Sequence, residues 1–344
     1  MVASYRNLLS SGELGRRSDL LESRLSRCDI CPWDCHVNRI EDETKVCVAG
    51  YRPIVSSWAP HFGEEPPLSG SHLPKGEARG AGNIFFGHCN LRCVYCQNWQ
   101  ISQDFRNSRP AGEMDVERLA GIMLELQAKD CHNIGFVSPT HFAPQIARSI
   151  ELAAQRGLTL PLIYNTNAYD SVEVLRLLDG IFDIYLPDLK YSDNGTAKEY
   201  SKIPNYVEHA RAAVAEMYRQ VGDEAVMDGR GLLRRGLVIR LLVLPNDLGG
   251  LRETLEWIRD ALSPRVTLSV MSQYYPANKV DDDRFPLLAR KVRPSEYEKV
   301  IEWLEWFGFE NGWIQPLDAE AASYYRPDFR DRVTPFRDTA DFLP

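Results

Sequence analysis

The sequence predicts an α/β fold: a partial (β/α)6 barrel of parallel strands, open on one side, with a small cysteine-rich module at its N-terminus. Three observations lead there. From residue 83 onward, short apolar runs alternate with amphipathic helical windows, the pattern of parallel strands joined by right-handed crossovers. The first 80 residues lack that periodicity and carry four cysteines and a Pro/Gly-rich stretch. The first apolar run leads straight into a loop with three further cysteines.

The elements follow in chain order. Residues 1–80 read as a metal-stapled segment with a lid loop, and residues 81–344 as the barrel with a C-terminal extension. Residues 14–26 form one short amphipathic piece. The run from Trp58 to Pro67 is rich in proline and glycine and reads as a lid or linker. Strands are expected at 84–86, 134–138, 162–166, 181–186, 237–244 and 267–271. Helices are expected at 116–126, where Leu119, Ile122, Met123 and Leu126 share a face, and at 144–156, 172–178, 251–262 and 296–307. Residues 193–222 read as helical and external, with a turn at Asn194-Gly195. Residues 229–236, with Arg230, Arg234 and Arg235, read as a solvated loop or hairpin.

Composition excludes several function classes. A net charge of −8 over 344 residues implies no broad basic surface, so a general nucleic-acid binder is not expected. No apolar stretch approaches the roughly 20 residues needed to span a membrane. The first 20 residues lack an apolar signal-peptide core, so a cytoplasmic, reducing location is expected. There, clustered cysteines point to metal sites rather than disulfides. Seven of the eight cysteines fall in two clusters, and Cys131 reads as a lone buried thiol.

The first cluster lies in Gly87-His88-Cys89-Asn90-Leu91-Arg92-Cys93-Val94-Tyr95-Cys96-Gln97-Asn98, with the spacing C-x3-C-x2-C. Three thiolates can hold three irons of a [4Fe–4S] cube and leave the fourth iron without a protein ligand. The plainer alternative is a zinc knuckle, but it wants a fourth ligand, and His88 is adjacent to Cys89 and poorly placed to wrap the same ion. The second cluster, Cys28, Cys31, Cys35 and Cys47, is C-x2-C-x3-C-x11-C. Four thiolates there close a site around zinc or bind an auxiliary iron–sulfur cluster. A closed site of this kind folds the segment or relays electrons.

The marks Cys-x2-Cys-Pro-x2-Cys, His-Phe-Gly-Glu-Glu-Pro-Pro-x-Ser-Gly, Cys-Asn-Leu-Arg-Cys-Val-Tyr-Cys-Gln-Asn, Pro-Thr-His-Phe and Asp-Leu-Lys carry a resemblance. From residue 28 to about residue 330 the chain resembles the radical S-adenosylmethionine (radical SAM) family similar to pyruvate formate-lyase activating enzyme. The resemblance implies that Cys89, Cys93 and Cys96 set a [4Fe–4S] cluster. A flavodoxin or ferredoxin reduces it, and SAM is cleaved to methionine and a 5′-deoxyadenosyl radical. That radical abstracts hydrogen from a peptide or small-molecule substrate. An activase that installs a glycyl radical on a partner enzyme is a narrower reading of the same core. A non-catalytic electron-transfer or metal-binding protein is the alternative from another class, but a pure carrier would close its cluster with a fourth cysteine.

SAM needs partners for its amino-acid part, its ribose and its adenine, and the strand ends supply suitable types. Tyr95 is expected near the adenine. Ser138, Thr140 and His141 follow the second strand, where many family members have Gly-Gly-Glu; Thr140 also reads as a helix N-cap. Asn165, Thr166 and Asn167 end the third. Asp188 and Lys190, alternate residues on one strand, point the same way and so inward. Arg240 is one cation in an apolar strand and needs an anion, either the SAM carboxylate or Asp188. Gln273 stands after the sixth strand, where activating enzymes often have histidine. His61, Glu64 and Glu65 read mainly as solvated loop charges.

Overall fold

The apolar runs become strands because they are buried on both faces. Ala81–Phe86 is buried at every position, as is Thr267–Met271, the mark of a sheet covered on both sides. The computed structural model describes residues 2–104, 112–317, 327–329 and 335–336. Among them, nine strands form one sheet: β1 (Val55–His61), β2 (Ala81–Phe86), β3 (Ile134–Val137), β4 (Leu162–Thr166), β5 (Ile184–Pro187), β6 (Val226–Met227), β7 (Leu233–Leu242), β8 (Thr267–Met271) and β9 (Gly312–Ile314). Their order is β1-β2-β3-β4-β5-β7-β8-β9, with β6 as a short hairpin partner of β7. From β2 to β9 along this path every pairing is parallel, while β1 runs antiparallel to β2. β1 and β9 end the path, so the barrel is open between them.

Alternation along the strands separates two cores. Ile84, Phe86, Phe136, Tyr164, Tyr185, Ile239 and Leu241 face outward and pack with the helices Val116–Ala128, Ala143–Gln155 and Leu251–Ala261. That core continues into the N-terminal helices, where Leu14 and Leu21 are fully buried. A second, smaller core lies inside the barrel: Leu68 meets Ile163, Ile184, Leu186, Leu233 and Val238. Leu68 sits on a short helix, Pro66–Ser69, begun by prolines and stopped by Gly70 at φ 74°. It fills the end of the barrel at which the parallel strands begin.

Two expectations are corrected here. The stretch from Trp58 to Pro67 is not simply a lid or linker, because its first residues belong to β1. Pro60 fits there because β1 is an edge strand with one neighbour, so a missing N–H is tolerated. Asn194-Gly195 is not a turn but the first turn of the helix Asn194–Ser201. The Asp193 side chain accepts from Thr196 N at 2.7 Å and caps it. Residues 229–236 do form the hairpin into β7. The expected C-terminal extension falls largely outside the described residues.

Leu68→Ala should cost about 2–5 kcal/mol of stability in urea denaturation, the range for emptying a fully buried leucine site. A loss below about 1 kcal/mol would mean that Leu68 does not fill the barrel end.

Candidate active site

The strand ends at the opposite mouth gather the residues with chemistry. A cavity of about 590 Å³ reaches from the barrel interior to the loop after β2. Cys89, Cys93 and Cys96 line one end of it, with Tyr95, Ser138, Asn165, Thr166, Asn167, Asp188, Lys190, Arg240 and Gln273. Its size is that of a site for a cofactor-sized molecule.

The cysteine loop is held rigidly by elements far from it in sequence. Arg92 N donates to Ser201 O at 3.0 Å and Val94 N to Tyr200 O at 2.8 Å, so the end of the helix Asn194–Ser201 serves as its backing. Trp33 Nε1 donates to Asn90 O at 2.8 Å, and Asn90 Nδ2 to Tyr169 O at 2.9 Å. Arg92 donates to Cys89 O and Leu91 O, and to Val46 O in the N-terminal segment. Leu91 and Val94 are buried and anchor the loop.

Each thiol meets a hydrogen-bond partner. Cys89 Sγ accepts from Leu91 N at 3.4 Å and Asn167 Nδ2 at 3.5 Å. Cys93 Sγ accepts from Ser201 Oγ at 3.0 Å, and Cys96 Sγ lies 3.2 Å from Ser102 Oγ. No disulfide joins them. Burial raises all three thiols above their ordinary pKa, Cys93 to about 11, while the nearby Lys190 cation opposes that shift. Bare, they are protonated. A bound metal would remove those protons and use all three sulfurs.

Among the described residues, no three His, Cys, Asp or Glu side chains converge closely enough for one metal ion. The same holds of the four N-terminal thiols, so this spacing does not separate zinc from iron. A [4Fe–4S] cube carries its thiolates on separate irons, and three soft sulfurs on the wall of one cavity are a donor set that fits such a cluster.

Deeper in the barrel lies a layer of charge. Arg240 Nε and Nη2 donate to Glu65 at 2.8 and 2.6 Å, Arg240 Nη2 also meets Glu64, and Glu64 Oε1 accepts from Asn83 Nδ2 at 2.6 Å. Thus Glu64 and Glu65 are not solvated loop charges. β1 folds their loop back into the barrel, and Glu65 is 7% exposed. Arg240 is met by two carboxylates of that loop rather than by the Asp188 side chain. Burial works against the Glu64 charge, but Arg240 and then His61 hold its pKa below the ordinary carboxylate value. Burial lowers the pKa of His61, and its Nδ1 has no hydrogen-bond partner among the described residues. One layer nearer the cysteines, Lys190 Nζ donates to Asp188 Oδ2 at 2.7 Å. Burial opposes the Lys190 charge, yet Asp188 and Cys93 keep its pKa above the ordinary lysine value.

Two expected contacts lie elsewhere. Thr140 Oγ1 is 3.1 Å from Thr166 Oγ1 and does not cap the helix Ala143–Gln155, whose N-cap position is Phe142. Thr140 is not a cavity residue, because the turn Thr140–Phe142 directs it toward β4. His141 also lies outside the main cavity. Its Nε2 is 2.9 Å from Gly87 O, and it lines a separate cavity of about 10 Å³ with Cys28, Cys31, Cys35 and Cys47. Those four thiols influence one another: burial, then Cys47, Cys28 and Cys35, raise the Cys31 pKa. Cys131 is buried alone, its thiol pushed up to about 12. Ser201, Ser102, Tyr191 and Glu64–Glu65 as a buried pair had no signal in local spacing.

The family model described as Radical SAM superfamily matches residues 83–258, from β2 into the helix Leu251–Ala261. The chain belongs to the radical SAM superfamily. That membership implies a [4Fe–4S] cluster and SAM as cofactors, and enzymatic catalysis in general. Two proteins of Methanocaldococcus jannaschii are similar to this radical SAM protein. Uncharacterized protein MJ0674 is 28% identical over 303 residues, covering 86% of this chain and 80% of its own. Uncharacterized protein MJ0808 is 24% identical over 279 residues, covering 76% and 74%. Among solved structures, HydG, a maturase of the [FeFe]-hydrogenase, aligns with a TM-score of 0.47 and 13% identity over 74% of this chain. The alignment spans about half, 54%, of the HydG chain. No helix among the described residues is long and apolar enough to cross a membrane.

Arg240→Gln would leave two carboxylates facing each other in the barrel and should cost about 3–5 kcal/mol at pH 7, as when one partner of a buried pair is removed. The wild-type pairing depresses the Glu64 pKa, so its contribution is present above the unfolded carboxylate pKa and is lost as pH falls through the folded one. The deficit of the variant in urea denaturation should therefore shrink from pH 7 to pH 4. A deficit independent of pH would contradict the pairing.

Proposed function

We propose that this radical SAM protein binds SAM at the cysteine end of the 590 Å³ cavity and directs hydrogen abstraction from a peptide or small-molecule substrate held in the same cavity. The observation that carries this reading is the shared wall: three thiols, Asp188–Lys190 and the strand-end amides face one space. When bound, the reduced cluster and SAM supply the 5′-deoxyadenosyl radical. The chain's own residues orient and enclose. Cys89, Cys93 and Cys96 hold three irons. The Lys190 ammonium, fixed by Asp188, is set to meet the SAM carboxylate. Asn165, Thr166 and Gln273 offer donors and acceptors for its ribose, and Tyr95, its ring centroid 5.9 Å from that of Tyr274, gives an apolar face for adenine. Leu68 and the Glu64–Arg240–Glu65 layer close the far end against water. Phe329 and Phe336 pack on Phe85 and narrow the side of the cavity.

A flavodoxin or ferredoxin is the proposed electron donor. Cys28, Cys31, Cys35 and Cys47 are proposed to hold a second metal, zinc or iron–sulfur, that fixes the N-terminal segment against the cysteine loop through Trp33 and Arg92.

The test is anaerobic reconstitution with iron, sulfide and zinc analysis, followed by dithionite and SAM. About four irons beyond those of the N-terminal site and 5′-deoxyadenosine in the product are expected. Cys93→Ala should abolish the nucleoside product and leave the N-terminal metal in place. A fully loaded cluster that never yields 5′-deoxyadenosine, with dithionite or a reduced flavodoxin, would contradict the catalytic reading. Loss of both metals in Cys93→Ala would contradict two independent sites.

A further inference from the structure

We propose that a one-way chain of hydroxyl hydrogen bonds, from Tyr95 through Tyr191 to Ser201, ends on the Cys93 sulfur and raises the reduction potential of the cluster that Cys93 helps to hold. The inference rests on the reading of Cys89, Cys93 and Cys96 as cluster ligands.

The geometry gives the chain a direction. Tyr95 OH lies 2.7 Å from Tyr191 OH, Tyr191 OH lies 2.6 Å from Ser201 Oγ, and Ser201 Oγ donates to Cys93 Sγ at 3.0 Å. Each hydroxyl has a single hydrogen to donate, and a thiolate ligand can only accept. Ser201 spends its hydrogen on Cys93, so Tyr191 must donate to Ser201, and Tyr95 must donate to Tyr191. Every dipole therefore points its positive end toward the sulfur.

The chain is buried throughout. Ser201 has no exposed surface, and Tyr95 and Tyr191 are at most 5% exposed. In so dry a place a hydrogen bond is stronger than in water, and successive bonds polarise one another. The other two sulfurs are served differently. Cys89 meets amides at 3.4 and 3.5 Å, and the Ser102 hydroxyl beside Cys96 has no further hydroxyl behind it among the described residues.

The consequence is electronic. Reduction brings one electron from an external low-potential one-electron donor onto the cluster, and no bond is made or broken. The added charge spreads onto the sulfur ligands. A donor aimed at one of them favours the reduced state, and such outer hydrogen bonds are among the factors that set cluster potentials. Ser201, Tyr191 and Tyr95 are thus positioning residues that act through Cys93. Ser201 also ties this tuning to the fold, because its own carbonyl accepts from Arg92 N in the cysteine loop.

The test is a potentiometric titration of the reconstituted protein without SAM, with the reduced cluster followed by its electron paramagnetic resonance signal. Ser201→Ala should disfavour reduction by up to about tenfold at a fixed potential, which is 59 mV lower for a one-electron couple. Tyr191→Phe should shift the potential the same way by less, and Ser201→Thr should restore it. Ser201→Ala and Tyr191→Phe both titrating with the wild type would overturn the proposal. Should Ser201→Ala fail to retain its iron, Tyr191→Phe decides alone. A wild-type protein that assembles no four-iron cluster would instead sink the ligand reading on which this one stands.

Discussion

Arg240 carries a full positive charge into the inside of a sheet, and the closure of the barrel depends on how that charge is met. A guanidinium there is tolerable only with hydrogen-bonded anions around it. Glu64 and Glu65 supply them from a loop that has to fold back beneath the strands to do so. That return requires β1 to run antiparallel against β2 and carries Leu68 into the apolar layer below. One ion triad thus couples three features: the added edge strand, the filled barrel end and a cavity whose chemistry is confined to the opposite mouth.

At that mouth the problem is reversed. The loop of three cysteines has little regular structure of its own, so its shape is imposed from outside. The end of the helix Asn194–Ser201 receives two of its backbone N–H groups, Trp33 and Arg92 tie it to the N-terminal segment, and Asn90 reaches the turn after β4. The same helix end that holds the backbone also presents the Ser201 hydroxyl to Cys93. One residue thus holds the loop's backbone and meets one of its sulfurs. The cysteine-rich N-terminal segment is accordingly part of the platform on which the reactive end is built.

Much of this was legible in the sequence, for a physical reason in each case. Six of the seven parallel strands appear as apolar runs because they are buried in the sheet, whereas β9, short and largely exposed, left no such run. The two cysteine groups appear because their spacing is local, and the fold keeps them apart, one lining the main cavity and the other a small separate one. Asp188 and Lys190 were expected to share a face of a strand; β5 ends at Pro187, before both of them, yet they form an ion pair in the cavity. What was not legible depends on distance along the chain. Ser201 lies 108 positions from Cys93, and Glu64 lies 176 from Arg240. Nothing in a local window distinguishes those residues from a helix-end serine or a solvated loop acid. Thr140 and His141 misled for a related reason. They follow a strand at the right end of the barrel, but a tight turn with Ser138 at φ 58° directs them away from the cavity. His141 instead joins the N-terminal cysteines, a neighbourhood that only the folded chain creates.

The proposed chemistry requires that three thiolates hold a four-iron cluster whose fourth iron is open to the cavity. Mössbauer spectroscopy tests it most directly, on the full protein rebuilt with 57Fe, with any signal of the N-terminal site taken from Cys93→Ala and subtracted. On addition of SAM, one iron in four should change its isomer shift and quadrupole splitting while the other three keep theirs. Four irons that remain equivalent and unmoved by SAM would contradict the claim.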